Sequence, residues 1–133
     1  MTGAVTGAVT EFLTMDDALE VARLLTGERP RVRDFADLDA ALARPQQTEN
    51  GRDVFPGIWD KAAALMESLG HSYALVDGNK RLTWNATWYF LGVNGHPLAE
   101  PLDEEAAFQF MYDLVRGRLK ASAIAERLRK FAA

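Results

Sequence analysis

The chain has 133 residues, 48% of them hydrophobic and 26% charged, with a formal net charge of −4. That length supports one globular domain with a single core, and the acidic balance argues against non-specific binding to nucleic acid. There is no cysteine, so disulfides, thiol catalysis and cysteine-based zinc sites are excluded; this suits a reducing cytoplasm, and no apolar stretch approaches a membrane span.

Residues 1–10 repeat Thr-Gly-Ala-Val. They lack the basic start and long apolar core of a signal peptide and read as a weakly structured leader, with the domain over 11–133. A short extended piece is possible from Val9 to Leu13. Thr14, followed by Asp16 and Asp17, caps a helix running to about Leu25, with Gly27 and Pro30 as its stop. Asp34 begins a shorter helix carrying Phe35, Leu38, Ala41 and Leu42, ended by Pro45. A polar loop follows from Gln46 to Asp53. The next helix spans roughly Ile58 to Leu69, with Gly70 as terminator. A central helix begins near Gly78 and ends at Asn94-Gly95. It is apolar on most sides, which predicts that it is buried in the middle of the domain. Asp103 caps a helix to about Val115, and Ser122 caps a last one to about Phe131. No alternating pattern persists that would mark a sheet. The fold class expected is all-α: a single-domain helical bundle around one buried central helix.

The chemistry concentrates where the central helix begins. The segment reads His71-Ser72-Tyr73-Ala74-Leu75-Val76-Asp77-Gly78-Asn79-Lys80-Arg81. Backbone N–H groups in the first turn of a helix have no intrahelical partner and carry partial positive charge. Lys80 and Arg81 add full charges at the same place, a combination that suits a polyphosphate.

The stretch Asp77-Gly78-Asn79-Lys80-Arg81 resembles the signature of the Fic/Doc family, usually written His-x-Phe-x-Asp/Glu-Gly/Ala-Asn-Gly/Lys-Arg. Lys80 is similar to the variant of the Doc branch, toxins of bacterial toxin–antitoxin modules. The resemblance extends to Leu13-Thr14-Met15-Asp16-Asp17, Leu42-Ala43-Arg44-Pro45, the Trp59-Asp60-Lys61-Ala62-Ala63-Ala64 helix and Asn94-Gly95. It covers almost the whole chain from about Val9.

The departure is at the catalytic position. The family histidine lies four residues before the acid, and here that position is Tyr73; His71 is two residues too early. A two-residue insertion would restore His71 to the role, but the segment from Trp59 to Asp77 is similar to the family without a gap, which favours direct replacement by Tyr73. Leu75 stands where the family usually has phenylalanine, an apolar exchange at a core-facing position.

The resemblance implies roles position by position. The family histidine deprotonates a target hydroxyl while the helix start holds ATP. Asp77 is expected to hold Mg²⁺ and orient the base, although Asp is also a good helix cap without any ligand. Gly78, Asn79, Lys80 and Arg81 match the nucleotide contacts, with Lys80 also counted among the catalytic positions. Asn85, one turn further on, is similar to a Doc active-site asparagine, and a structural hydrogen bond is the other reading of it. The Lys branch is associated with transfer of the γ-phosphoryl group of ATP to a threonine of elongation factor Tu, blocking translation; the Gly branch transfers AMP. An imidazole titrates at about 6.5 and a phenol at about 10. A general base works best near ambient pH, so a chain with Tyr73 here is expected to bind as the family does and to catalyse weakly or not at all. Transfer of AMP, and a catalytically dead module that binds nucleotide or antitoxin, are the alternatives.

The implied partners are a Phd-like antitoxin and elongation factor Tu, with no direct nucleic-acid partner and no membrane. The antitoxin is expected to dock a folded-on-binding helix into an apolar groove, for which exposed members of the set Phe12, Leu13, Phe35 and Phe55 are candidates. The loop from Gln46 to Pro56 is the candidate flap for the target protein. His71 is expected at a loop or helix end and His96 in a surface turn. No spacing among them and the carboxylates makes a metal site. Trp59, Trp84 and Trp88 read as core, and the charged run from Arg116 to Arg129 as a solvated face.

Overall fold

The computed structural model describes residues 9–133; most of the expected leader, residues 1–8, lies outside them. Among the described residues there are six α-helices, α1 (Met15–Thr26), α2 (Phe35–Ala43), α3 (Ile58–Gly70), α4 (Asn79–Val93), α5 (Glu104–Val115) and α6 (Ala121–Arg129), with a 3₁₀ turn at Arg44–Gln46. This is the expected all-α architecture. α3 packs on α4 and α6, α1 on α4, and α2 on α3. The central α4 buries Leu82, Ala86, Trp88, Phe90 and Leu91, but it shares the middle of the bundle with α3, where Lys61 to Met66 are all buried. Tyr89 and Val93 of α4 face outward.

Local signals set most helix ends. Thr14 Oγ1 accepts from Asp17 N at 3.1 Å, and Asp17 Oδ2 accepts from Thr14 N at 2.9 Å, closing a capping box at α1. Asp34 and Asp103 cap α2 and α5 through the N–H groups of Asp37 and Ala106. Two expected ends move. Gly70 does not stop α3; the helix runs through it to His71. A Cβ on Gly70 would stand 2.9 Å from Leu114 Cδ2, so the glycine is there to let α5 approach. Lys120, not Ser122, is the residue before α6, and Ser122 makes no cap bond.

Val9 to Leu13 forms no strand. Its backbone is instead satisfied at Glu11 by the Asn94 side chain, which accepts from Glu11 N and donates to Glu11 O, both at 2.9 Å. Conversely, a small hairpin appears where none was expected, β1 (Thr48–Glu49) against β2 (Arg52–Asp53), with Thr48 opposite Asp53. Its turn is Asn50-Gly51, both at positive φ (52° and 76°), the residue pair that a tight hairpin requires. The buried Lys61 ties down the end of this hairpin: its Nζ donates to Asp53 Oδ2 and Pro56 O at 3.1 Å each, and to Phe55 O.

Of the three tryptophans expected in the core, Trp88 is buried, and Trp59 and Trp84 are partly buried and pack against it. Trp88 is buried between Trp59 and Trp84, and Trp84 packs edge-on against Phe131. The chain end is sewn beneath this cluster by Ala99 N to Phe131 O and Ala133 N to Pro97 O. The charged residues Arg116, Arg118, Lys120, Glu126 and Arg129 are exposed while Ile124, Ala125 and Leu128 of the same run are buried, and Arg127 turns in to pair with Asp113 at 2.9 Å.

Candidate functional site

The loop between α3 and α4 is fixed from both sides. Val32 and Leu75 form a bridge, Arg33 N and Asp34 N donate to Ala74 O, and Val76 N donates to Arg31 O. Asp37, on α2, supplies a second anchor: its Oδ2 accepts from Ser72 Oγ at 2.8 Å and from Tyr73 N at 3.3 Å. The main chain at Tyr73 is therefore held in place, while its side chain is 74% exposed.

At the start of α4, Gly78 takes the N-cap position at φ 88°, a left-handed conformation that favours glycine. A glycine cap has no side chain to cover the first-turn amides. Asp77 does not cap either; its Oδ1 accepts from Gly78 N at 2.8 Å. Leu82 N is the first to bond back, to Gly78 O. The N–H groups of Asn79, Lys80 and Arg81 have no acceptor among the described residues. These three amides, with exposed Lys80 and Arg81 beside them, form the positively charged helix start that the residue order suggests, a geometry able to seat an anion.

The seat opens into a cleft of about 500 Å³ lined by His71, Tyr73, Asp77, Gly78, Asn79, Lys80 and Arg81, with Val115 on the far wall. Six positions singled out from the sequence are thus brought together: Tyr73, Asp77, Gly78, Asn79, Lys80 and Arg81. Asn85 is not. Its Nδ2 donates to Arg81 O at 2.8 Å within α4, and it lines a neighbouring groove between α4 and α5 that Lys80 and Arg81 also border. The Asn79 side chain is also committed: Oδ1 accepts from Leu75 N at 3.0 Å and Nδ2 donates to Leu75 O at 2.9 Å. It staples the loop, leaving its backbone N–H for an anion.

His71 ends α3, as expected of a helix-end residue, and its Nε2 donates to Leu114 O at 3.2 Å. Although it borders the cleft, that ring nitrogen is used on α5; the phenol of Tyr73 has no partner among the described residues. The residues also suit Mg²⁺. No cluster of three His, Asp or Glu exists among the described residues, but Mg²⁺ on nucleotides is characteristically held by one or two carboxylates plus phosphate oxygens and water. The exposed Asp77, with Oδ2 uncommitted, is such a carboxylate.

A family model for the Fic/DOC family matches residues 12–91, more than half of the chain. The chain belongs to the Fic/Doc family. A curated relative named Toxin Doc, from Mycolicibacterium smegmatis, is 45% identical over 125 residues, covering 94% of this chain and 96% of its own. Four and two positions before Asp77 this chain has Tyr73 and Leu75, and Leu75 is buried, as expected of an apolar core-facing residue.

Several features of the site were not singled out from sequence. Asp37 lies thirty-five and thirty-six positions from the residues it anchors, and nothing local marks it. Arg29 and Arg31 line a second cleft of about 380 Å³ behind Asp77, Gly78 and Arg81. Lys61 had a signal, a lone cation leading an alanine-rich buried run. The four candidates for a partner groove do not form one. Leu13 is buried, Phe12 stacks on Phe90 and Phe55 lies under Arg44, leaving only Phe35 well exposed. The apolar groove is instead between α4 and α5, about 550 Å³, lined by Trp84, Phe108, Met111 and Tyr112. No helix among the described residues is long and apolar enough to cross a membrane.

Proposed function

We propose that this chain is a Doc-like toxin of a toxin–antitoxin system, with a phosphotransferase site that binds ATP–Mg²⁺ and is blunted by Tyr73. One observation carries the reading: three unpartnered amides and two cations face a cleft whose mouth holds a phenol at the base position. Phosphoryl transfer asks the protein mainly for positioning and for charge stabilisation. The first-turn amides of α4 and Lys80 would receive the phosphate oxygens, and Arg81 would add a bidentate-capable cation. Asp77 would hold the metal, which draws charge from the phosphates. What is missing is an acceptor for the proton of a target hydroxyl. A phenol is a poor base at neutral pH, so turnover on a protein substrate is expected to be slow or absent.

Lys80 favours γ-phosphoryl transfer over transfer of AMP, and a threonine of elongation factor Tu is the acceptor that the family resemblance suggests. An antitoxin is the regulatory partner, for which a Phd-like protein is the proposal. The groove between α4 and α5 fits the apolar face of an antitoxin helix, and the Thr48–Asp53 hairpin is the candidate flap.

The test is reversion. Tyr73→His is expected to arrest growth of a bacterial host and to add a phosphoryl-sized mass to elongation factor Tu. The unaltered chain should bind ATP–Mg²⁺ in calorimetry without doing either. An AMP-sized addition would replace the kinase reading. A reverted chain that is harmless and modifies nothing would leave only a binding module.

A further inference from the structure

We propose that Tyr73 is itself a phosphoryl acceptor, so that this chain modifies its own phenol once. The inference rests on the nucleotide-binding reading above. Three hydroxyl side chains lie in or beside the seat. Ser72 is buried, donates to Asp37 at 2.8 Å and accepts from Ala74 N at 3.1 Å. Thr83 is buried and donates to Asn79 O at 2.8 Å. Tyr73 alone of the three is exposed, lines the cleft with Gly78, Asn79, Lys80 and Arg81, and makes no side-chain hydrogen bond among the described residues.

The substitution also changes reach. A phenol carries its oxygen further from Cα than an imidazole carries Nε2. An imidazole at this position would hold a hydroxyl beyond its nitrogen; the phenol places a hydroxyl of its own toward that same region. Its main chain is pinned by Asp37 and its exposed ring lines the same cleft as the seat, so the side chain borders the seat without being locked elsewhere. Loss of the base therefore converts a site for activating a foreign hydroxyl into one that already contains its acceptor.

The step balances simply. Tyr73 Oη attacks the γ-phosphorus of a nucleoside triphosphate. The Oη–P bond forms as the bond from that phosphorus to the β,γ-bridging oxygen breaks, and the nucleoside diphosphate leaves with the electron pair. The phenolic proton passes to water, to which Tyr73 is open. A phenol gives up its proton more readily than the aliphatic alcohol of a foreign target and is already tethered at the cleft, so a slow single event proceeds without the base that a foreign hydroxyl needs. The product places about two negative charges beside Lys80 and Arg81. It therefore blocks the seat, and modification stops at one group per chain.

The experiment is intact-mass measurement and peptide mapping of the full chain after incubation with ATP and Mg²⁺, beside Tyr73→Phe, with ATP binding followed by calorimetry on both. The expected result is one phosphoryl increment, mapped to Tyr73, absent from Tyr73→Phe, with the modified chain losing ATP binding. A chain that binds ATP and stays unmodified overturns the inference and leaves the binding reading intact, as does an increment that survives in Tyr73→Phe. An AMP-sized increment on Tyr73 keeps the acceptor and overturns γ-phosphoryl transfer. Failure of both chains to bind ATP overturns the inference and the reading beneath it.

Discussion

Asn79 separates two accounts of the site, because the family resemblance gives its side chain to phosphate and the structure gives it to the loop. In Asn79→Ala both bonds to Leu75 disappear. Each is worth about 1 kcal/mol net, and leaving a buried peptide group unpaired raises the cost to about 1–3 kcal/mol per group. Leu75 is only 2% exposed, but Asn79 is half-buried, so water reaches part of the gap. The expected loss is about 3 kcal/mol, a fall in Tm of roughly 10 °C for a domain of this size. Asn79→Asp keeps an acceptor for Leu75 N and gains about 0.5 kcal/mol from the α4 dipole, while losing the donor to Leu75 O. It should fall between the two, about 1–2 kcal/mol below the unaltered chain. Urea denaturation with a constant m-value is the assay, run beside ATP calorimetry. The reasoning is refuted if Asn79→Ala costs less than about 0.5 kcal/mol while ATP affinity drops more than about tenfold, for the amide would then be meeting phosphate.

Three further outcomes follow from particular contacts. Gly78→Ala should destabilise by about 1–2 kcal/mol from backbone strain at φ 88°; the added methyl, 3.5 Å from Arg81 Nη2, costs little, so a urea midpoint that does not move would contradict the left-handed cap. Lys61→Met removes the ammonium that holds Asp53, Phe55 and Pro56 and should cost about 2 kcal/mol. Amide hydrogen exchange should quicken across Thr48–Asp53 and stay nearly unchanged in α3; an unchanged hairpin would show that its base is held elsewhere. The Arg127 guanidinium, chiefly by its hydrogen bond, holds the Asp113 carboxyl below the ordinary carboxylate range. A depressed folded-state value means that this stabilisation is complete above the unfolded carboxylate's range and is lost as pH falls through the depressed value. The stability gap between the unaltered chain and Arg127→Gln should therefore begin to narrow as pH falls below about 5 and go on narrowing with further acidification, and a gap independent of pH would count against the pair.

Contacts that span three or four residues were legible before the structure. The caps at Thr14, Asp34 and Asp103 follow from residue type and spacing alone, because donor and acceptor lie within one turn. The hairpin at Thr48–Asp53 is equally local, and Asn50-Gly51 is its signal, but strands of two residues carry no alternation that would mark them as strands. Gly70 shows the opposite case. A glycine near a helix end looks like a stop, yet its reason is Leu114, forty-four positions away, pressing against the place where a Cβ would be.

By itself the amino-acid order determined the helical class, the positions of most helices and the place of the anion seat. Each depends on periodicity or on the five contiguous residues from Asp77 to Arg81, and on the absence of a capping side chain at Gly78. Tertiary structure decided which side chains remain free to act there. Folding spends Asn79 on Leu75, Asn85 on Arg81, Ser72 on Asp37 and His71 on Leu114, and leaves Lys80, Arg81 and the phenol of Tyr73 facing the cleft. The reason is hydrogen-bond satisfaction: a polar side chain near the core must take whatever partner packing brings to it, and those partners come from other elements or from backbone whose course is set only when the bundle closes.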